Sequence, residues 1–297
     1  MRSSTLESIG FIGLGIMGKP MAKNLLHAGY GLTVHSRGQA PVEELVALGA
    51  QRAASPADCA RTADVVITML RDSPDVELVV AGEQGVFQGA RPGTLVLDMS
   101  TISPVTAQRL AREAGERSLA MLDAPVSGGE AGAINAQLSI MVGGDEAAFE
   151  RALPLLRKLG TKITLMGSAG AGQMTKACNQ VMVAIHYEAM AEALALAKKA
   201  GVDLQRLHGA LAGGLANSAV WERRGPSAIE GNFQPGFRIR LHHKDLSIAL
   251  DAAREYGAAL PFTAQVRELY RSMMNNGEGD LDHSALALLL QRMAGLE

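Results

Sequence analysis

The run Gly13-Leu14-Gly15-Ile16-Met17-Gly18 places glycine at the spacing G-x-G-x-x-G. Gly13 allows a tight turn, Gly15 lets a backbone approach a pyrophosphate, and Gly18 lets a helix lie close on a strand. The N–H groups of the helix start then face the phosphates. Far downstream, Lys176 is followed three and four residues on by Asn179 and Gln180, which share its face if the segment is helical. A lysine in a cleft suits proton transfer to a carbonyl undergoing reduction. A lone helical lysine is ordinarily solvated, so the neighbouring amides carry that reading. Ser127-Gly128-Gly129 could present a hydroxyl and two unobstructed N–H groups to a carboxylate, although the same residues also make an ordinary turn. Asp98-Met99-Ser100-Thr101 is a second polar segment placed where a strand would end.

These residues need a scaffold that brings strand ends and one helix to a common place. Ile9–Gly13, Leu32–His35, Asp64–Leu70, Thr94–Met99 and Leu119–Leu122 read as buried strands. Met17–Ala28, Val42–Leu48, Ser55–Arg61 and Pro104–Ala114 read as the helices between them. Alternation of this kind predicts a parallel sheet covered on both faces, with both polar segments at its carboxyl edge, where open α/β folds bind ligands. Gln137–Val142 and Lys162–Met166 add two strands around a helix from Glu146 to Leu159. Beyond the Gly/Ala/Ser stretch at 167–172 the texture turns helical, beginning with an unbroken helix over Gln173–Ala200. Five further helices follow, at 204–211, 220–229, 245–256, 263–274 and 284–293. The expected organisation is a Rossmann-type dinucleotide-binding domain over residues 1–167 and an all-α domain over 168–297, joined by the long helix.

The second strand ends in Val34-His35-Ser36-Arg37-Gly38, with no acidic residue before Glu43. An NAD-specific site would place a carboxylate there for the ribose hydroxyls. A hydroxyl followed by a guanidinium is instead the chemistry that receives a phosphate. The expectation is NADP(H), with NAD(H) as the lesser alternative, since Arg37 reads equally as a solvated loop residue.

Composition narrows the classes further. Lys and Arg number 28 against 30 Asp and Glu, a net charge of −2 with no basic run, which argues against nucleic acid as the main partner. No apolar run approaches a membrane span. The Ile9–Gly18 stretch after Arg2 is too glycine-broken for a leader, and a cytoplasmic location is expected. Cys59 and Cys178 both fall in helical stretches and read as buried free thiols. His242, His243 and His283 show no metal-ligand pattern, so metal independence is the default. The apolar second half suggests a homodimer or homotetramer.

Four segments, in order, resemble the β-hydroxyacid dehydrogenases: Ile9–Gly18, Asp123–Gly129, Gly170–Asn179 and Lys244-Asp245-Leu246. Gly213–Ala216, Pro235–Ile239, Leu241-His242 and Asp282–Leu286 further resemble the branch that reduces tartronate semialdehyde. The resemblance implies that Lys176 is catalytic. It implies substrate contacts from Thr101, Ser127, Gly128, Gly129, Phe237 and Asp245, with Asn179 or Gln180 orienting the substrate. Many relatives carry a second asparagine where this chain has Gln180. For the cofactor it implies Lys244, Met69, Leu70 and Thr101 beside the glycine loop, Ser36 and Arg37. The activity implied is reduction of a small carboxylate aldehyde, tartronate semialdehyde to glycerate foremost. Oxidation of 3-hydroxyisobutyrate and reduction of glyoxylate or succinate semialdehyde are the alternatives, and a non-catalytic NADP-binding module is the reading from another class.

Overall fold

The computed structural model describes residues 7–296; Arg2 lies outside them. Two compact units divide the described chain, one ending at Lys176 and the other beginning at Ala177.

The first unit alternates strand and helix. It opens with β1 (Ile9–Ile12), α1 (Gly18–His27), β2 (Leu32–His35), α2 (Gln39–Ala47), β3 (Gln51–Arg52), α3 (Pro56–Ala60) and β4 (Val65–Thr68). Then come α4 (Ser73–Ala81), α5 (Val86–Gly89), β5 (Leu95–Asp98), α6 (Pro104–Glu116) and β6 (Ala120–Asp123). The unit closes with β7 (Val126–Ser127), α7 (Gly129–Ile134), β8 (Leu138–Gly143), α8 (Glu146–Leu156) and β9 (Gly160–Gly167). β1 through β6 are all parallel in the spatial order β3-β2-β1-β4-β5-β6. This is the doubly wound Rossmann order, with β1 between β2 and β4 at the point where the winding reverses. β1, β4 and β5 are buried along their whole length, as strands covered on both faces must be. One apolar cluster, with Phe11, Met21, Leu25 and Leu97, fills one side of the sheet; a second, with Ile12, Val66, Val96 and Leu110, fills the other.

The expected all-parallel sheet needs correction at one end. β8 runs antiparallel to β6 and β7, while β9 is parallel to β8. Only residues 128–137 separate β7 from β8, too few for the crossover that parallel pairing requires. Sequence reading also passed over β3, α5, β7 and α7, all of six residues or fewer, and the nine-residue α4. At the amino edge Arg151 of α8 acts as a clasp: Nε bonds Glu7 Oε1 at 2.7 Å, Nη1 the Gly93 carbonyl at 2.7 Å and Nη2 the Asp64 carbonyl at 3.0 Å.

α9 (Ala171–Lys199) begins in the first unit and continues into the second. After it come α10 (Leu204–Ala212), α11 (Ala219–Ile229), α12 (Ile239–Tyr256), α13 (Pro261–Asn275), a single 3-10 turn at His283–Ala285 and α14 (Leu286–Met293). The core of this unit gathers Tyr187, Trp221, Leu246, Tyr270 and Leu286. α12 starts six residues before the helix predicted at Asp245, because Ile239, His242, Leu246 and Ala249 form one buried stripe at helical spacing. A buried histidine at the second position hid that stripe from a hydrophobicity pattern. Cys59 is buried as expected, but Cys178 is exposed on α9, on the face away from Lys176 and Gln180.

Candidate active site

The glycine loop turns from β1 into α1. Gly13 has φ of +98°, and a Cβ there would strike the Met69 carbonyl; one on Gly18 would strike the Gly13 carbonyl. These two glycines let the loop, the β4 end and the helix close on each other. A Cβ on Gly15 would meet nothing within 4 Å. The open space lies at the position where a pyrophosphate would approach, so the loop fits a dinucleotide. Leu14 is buried, whereas Ile16 is 57% exposed and Met17 half-buried. The Leu14 N–H donates to Ser36 Oγ at 3.4 Å, which brings the end of β2 against the loop.

Arg37 extends from that strand end. Its guanidinium lies 3.6 Å from the Asp75 carboxylate, which Arg71 also holds at 2.9 Å. Two cations therefore share one anion. Asp75 escaped the sequence reading because it is far from Arg37 in the chain and stands in a helix that was not predicted.

The ends of β4, β5 and β6 are tied by hydrogen bonds. Thr68 Oγ1 donates to Asp98 Oδ1 at 2.8 Å, and Ser100 N–H donates to the same oxygen at 3.2 Å. Leu70 N–H donates to Ser100 Oγ at 2.8 Å, fixing the Met69-Leu70 segment on the β5 loop. Asp98 is fully buried, and among the described residues its Oδ2 has no hydrogen-bond partner. Burial, with Asp123 nearby, pushes its carboxyl up to about 6 against the pull of Ser100 and Thr68.

Asp123 anchors the start of α9. Its Oδ1 accepts from Gly170 N–H at 2.7 Å and its Oδ2 from Gln173 N–H at 2.8 Å. Burial raises this carboxyl too, and those N–H groups oppose the rise. Gln173, which sequence reasoning missed, bonds both sides of Thr101: Ile102 N–H donates to its Oε1 at 3.0 Å, and its Nε2 donates to the Ser100 carbonyl at 2.8 Å. Its place in Gly170-Ala171-Gly172-Gln173, just ahead of the lysine, was the available signal. Thr101 is half-buried. Lys176, one helical turn beyond Gln173, is only 6% exposed, unlike an ordinary solvated lysine. Ser127 sits in β7, paired with Ser139, rather than in a free loop. Gly128 and Gly129 follow with φ of +139° and +62°, both in the region that favours glycine.

In the second unit, Gln180 and Asp245 are both buried, and Gln180 Nε2 donates to Asp245 Oδ2 at 2.6 Å. Asn179 Nδ2 donates to Gln180 Oε1 at 2.7 Å, and Lys244 Nζ is 3.0 Å from Asp245 Oδ1. Four residues singled out by sequence thus form one chain of polar contacts. Phe237 is half-buried in the segment before α12. Among the described residues no group of three or more His, Cys, Asp or Glu side chains could hold a metal, and no helix is long and apolar enough to cross a membrane.

Known proteins match nearly the whole chain in two parts. Residues 8–167 match the NAD binding domain of 6-phosphogluconate dehydrogenase. Residues 170–290 match the family model described as NAD-binding of NADP-dependent 3-hydroxyisobutyrate dehydrogenase. The chain is 48% identical to the 2-hydroxy-3-oxopropionate reductase of Escherichia coli, over 96% of this chain and 98% of that one. It is 39% identical to the NAD-dependent L-serine dehydrogenase of Pseudomonas aeruginosa, over 98% of this chain and 100% of the relative. The solved structure of a Mycobacterium tuberculosis 3-hydroxyisobutyrate dehydrogenase with L-serine aligns with a TM-score of 0.90 at 36% identity, covering 97% of this chain and 100% of that one.

Proposed function

Because the chain belongs to the 3-hydroxyisobutyrate dehydrogenase family of NAD(P)-dependent β-hydroxyacid oxidoreductases, we propose that it reduces a short carboxylate aldehyde, tartronate semialdehyde to glycerate, with Lys176 as general acid. The burial of Lys176 one turn beyond the anchored start of α9 carries this reading. A bound nicotinamide dinucleotide supplies the hydride. The glycine loop, Ser36, Arg37, Met69, Leu70, Thr101 and Lys244 hold it. Lys176 Nζ delivers a proton to the alkoxide oxygen as charge develops there. Ser127 and the N–H groups of Gly128 and Gly129 hold the substrate carboxylate, so the aldehyde end faces the reducing group. Asn179, Gln180, Phe237 and Asp245 fix the remainder of the substrate, with the Gln180–Asp245 bond limiting where either side chain can move.

NADPH is the proposed reductant. A 2′-phosphate meeting Arg37 would draw it from Asp75, and Arg71 would still neutralise that carboxylate. The same ion pair favours a second reading. If Arg37 stays on Asp75, the adenosine end suits NAD, and oxidation of a small 3-hydroxy acid such as 3-hydroxyisobutyrate or L-serine becomes the better reading. Steady-state kinetics decide, using tartronate, glyoxylate and succinate semialdehydes, 3-hydroxyisobutyrate and L-serine, each with both cofactors. Highest kcat/KM for tartronate semialdehyde with NADPH is expected. A higher value for either alcohol with NAD would install the second reading, and no turnover on the whole panel would leave a binding module.

A further inference from the structure

Two histidines that the proposed chemistry does not use are packed ring to ring in the second unit. His242 is fully buried and His283 is 7% exposed, and their Nδ1 atoms lie 2.9 Å apart. Around them stand Tyr187, whose ring is 3.9 Å from that of His283, Tyr270 at 5.3 Å from His242, and Phe237 at 5.3 Å from His283. The other nitrogen of His242, Nε2, lies 3.2 Å from the Gln180 carbonyl.

A carbonyl only accepts, so His242 Nε2 carries a proton. In a neutral ring its Nδ1 is then bare and accepts. His283 Nδ1 must donate, because two N–H groups cannot face each other at this distance. One proton lies between the rings: the Gln180 carbonyl sets the tautomer of His242, and His242 in turn sets that of His283.

The pair joins the segments that the proposed function assigns to the substrate. His242 precedes Asp245 by one turn of α12, so that helix grips Gln180 twice: at its carbonyl through His242 and at its side-chain amide through Asp245. On the other side, His283 N–H donates to the Phe237 carbonyl at 2.9 Å. The adjoining Asp282 carboxylate accepts from Gly236 N–H at 2.8 Å and Phe237 N–H at 3.0 Å. The imidazole contact therefore links the backbone of Gln180, beside its bond to Asp245, to the segment that carries Phe237.

We propose that His242 and His283 are positioning residues, a one-proton imidazole pair that holds Gln180, Asp245 and Phe237 in register for the substrate. The proposal rests on the reading of those three residues as substrate contacts, but its first test does not involve turnover. In protein labelled with 15N-histidine, with His242→Gln and His283→Asn used for assignment, His242 is expected as the Nε2–H tautomer and His283 as the Nδ1–H tautomer. Protons on Nε2 of both rings, or two imidazolium rings, would overturn the pair.

The second test uses substitution. His283→Phe keeps a ring against Tyr187 but removes the donor, whereas His283→Asn returns an N–H near the position of Nδ1. The phenylalanine variant is expected to raise substrate KM about five- to a hundredfold, the effect of losing a buried hydrogen bond. Its dinucleotide Kd should stay within about twofold of the unmodified protein. The asparagine variant is expected to recover most of the KM. Unchanged KM in His283→Phe, or equal loss in both variants, reduces the pair to packing. If the phenylalanine variant does not fold, the tautomers in the unmodified protein decide. Correct tautomers in a protein that turns over none of the panel would sink the proposed function and leave the pair standing.

Discussion

The two units solve the same problem with different materials. The first holds its candidate site residues with backbone: positive-φ glycines at 13, 128 and 129, and N–H groups of Leu70, Ser100, Gly170 and Gln173 bound to buried side chains at strand ends. The second holds its parts with side chains that meet across helices, Gln180 on Asp245 and His242 on His283. Backbone devices tolerate little steric change, because the atoms in the way cannot rotate aside. Side-chain devices tolerate changes of volume better than loss of a donor or acceptor.

The largest effect is expected where the two strategies share a helix. Lys176→Ala should lower kcat by roughly 10²–10⁴, the usual effect of removing a general acid, with dinucleotide affinity nearly unchanged. Unchanged kcat would mean that the lysine serves only the fold. Two glycine substitutions then probe the backbone device. Gly18→Ala forces a Cβ onto the Gly13 carbonyl and should lower unfolding stability by about 3 kcal/mol along with dinucleotide affinity. Gly15→Ala meets nothing within 4 Å and should leave apo stability intact while raising dinucleotide Kd about tenfold or more. An unchanged dinucleotide Kd in Gly15→Ala would show that the open space at Gly15 serves no dinucleotide, and equal melting losses in both variants would show that the space is not open.

The pH dependence of stability probes the buried carboxyl at the end of β5. Asp98 is raised from 3.8 to about 6, so the folded chain holds this proton through a range in which the unfolded chain releases it. The contribution is fully present below about pH 4 and is lost as pH rises to about 6 and beyond, on the order of 3 kcal/mol. Asp98→Asn should remove that slope and stabilise the protein at pH 8 relative to the unmodified chain. Denaturant midpoints of both chains at pH 4.5 and 8 measure it, and parallel curves would show that Asp98 ionises normally. The smallest effect is assigned to Arg37→Ala. The side chain is 72% exposed, so screening limits its contact with a phosphate to a few-fold preference for NADPH. Loss of that preference with NADH kinetics unchanged is expected; an intact preference would leave Arg37 paired with Asp75.

What could be read from sequence follows the same division. A backbone device demands particular residue types at fixed local spacing, so the glycine loop and the Rossmann alternation announce themselves. Lys176, Asn179 and Gln180 are legible because one helix carries all three. The contact of Gln180 with Asp245 spans 65 residues and that of His242 with His283 spans 41, and no local pattern encodes either. The early start of α12 was hidden for the same reason: His242 counts as polar until its partner is known. The antiparallel turn of β8 was missed because strand propensity carries no direction, and only the length of the 128–137 link betrays it.

Arg151 grips Glu7, Asp64 and Gly93 at the edge of the sheet opposite the candidate site. A lysine there would keep the charge but could not reproduce the three-way geometry of a guanidinium. Such a change would leave each surviving molecule with its normal catalytic constant and reduce how many survive. In a cell, a loss of about 1–2 kcal/mol alters abundance several-fold through chaperones and proteases. Screens that read total activity would score Arg151 beside Lys176, and only activity per folded molecule would tell a shortage of enzyme from a defect in chemistry.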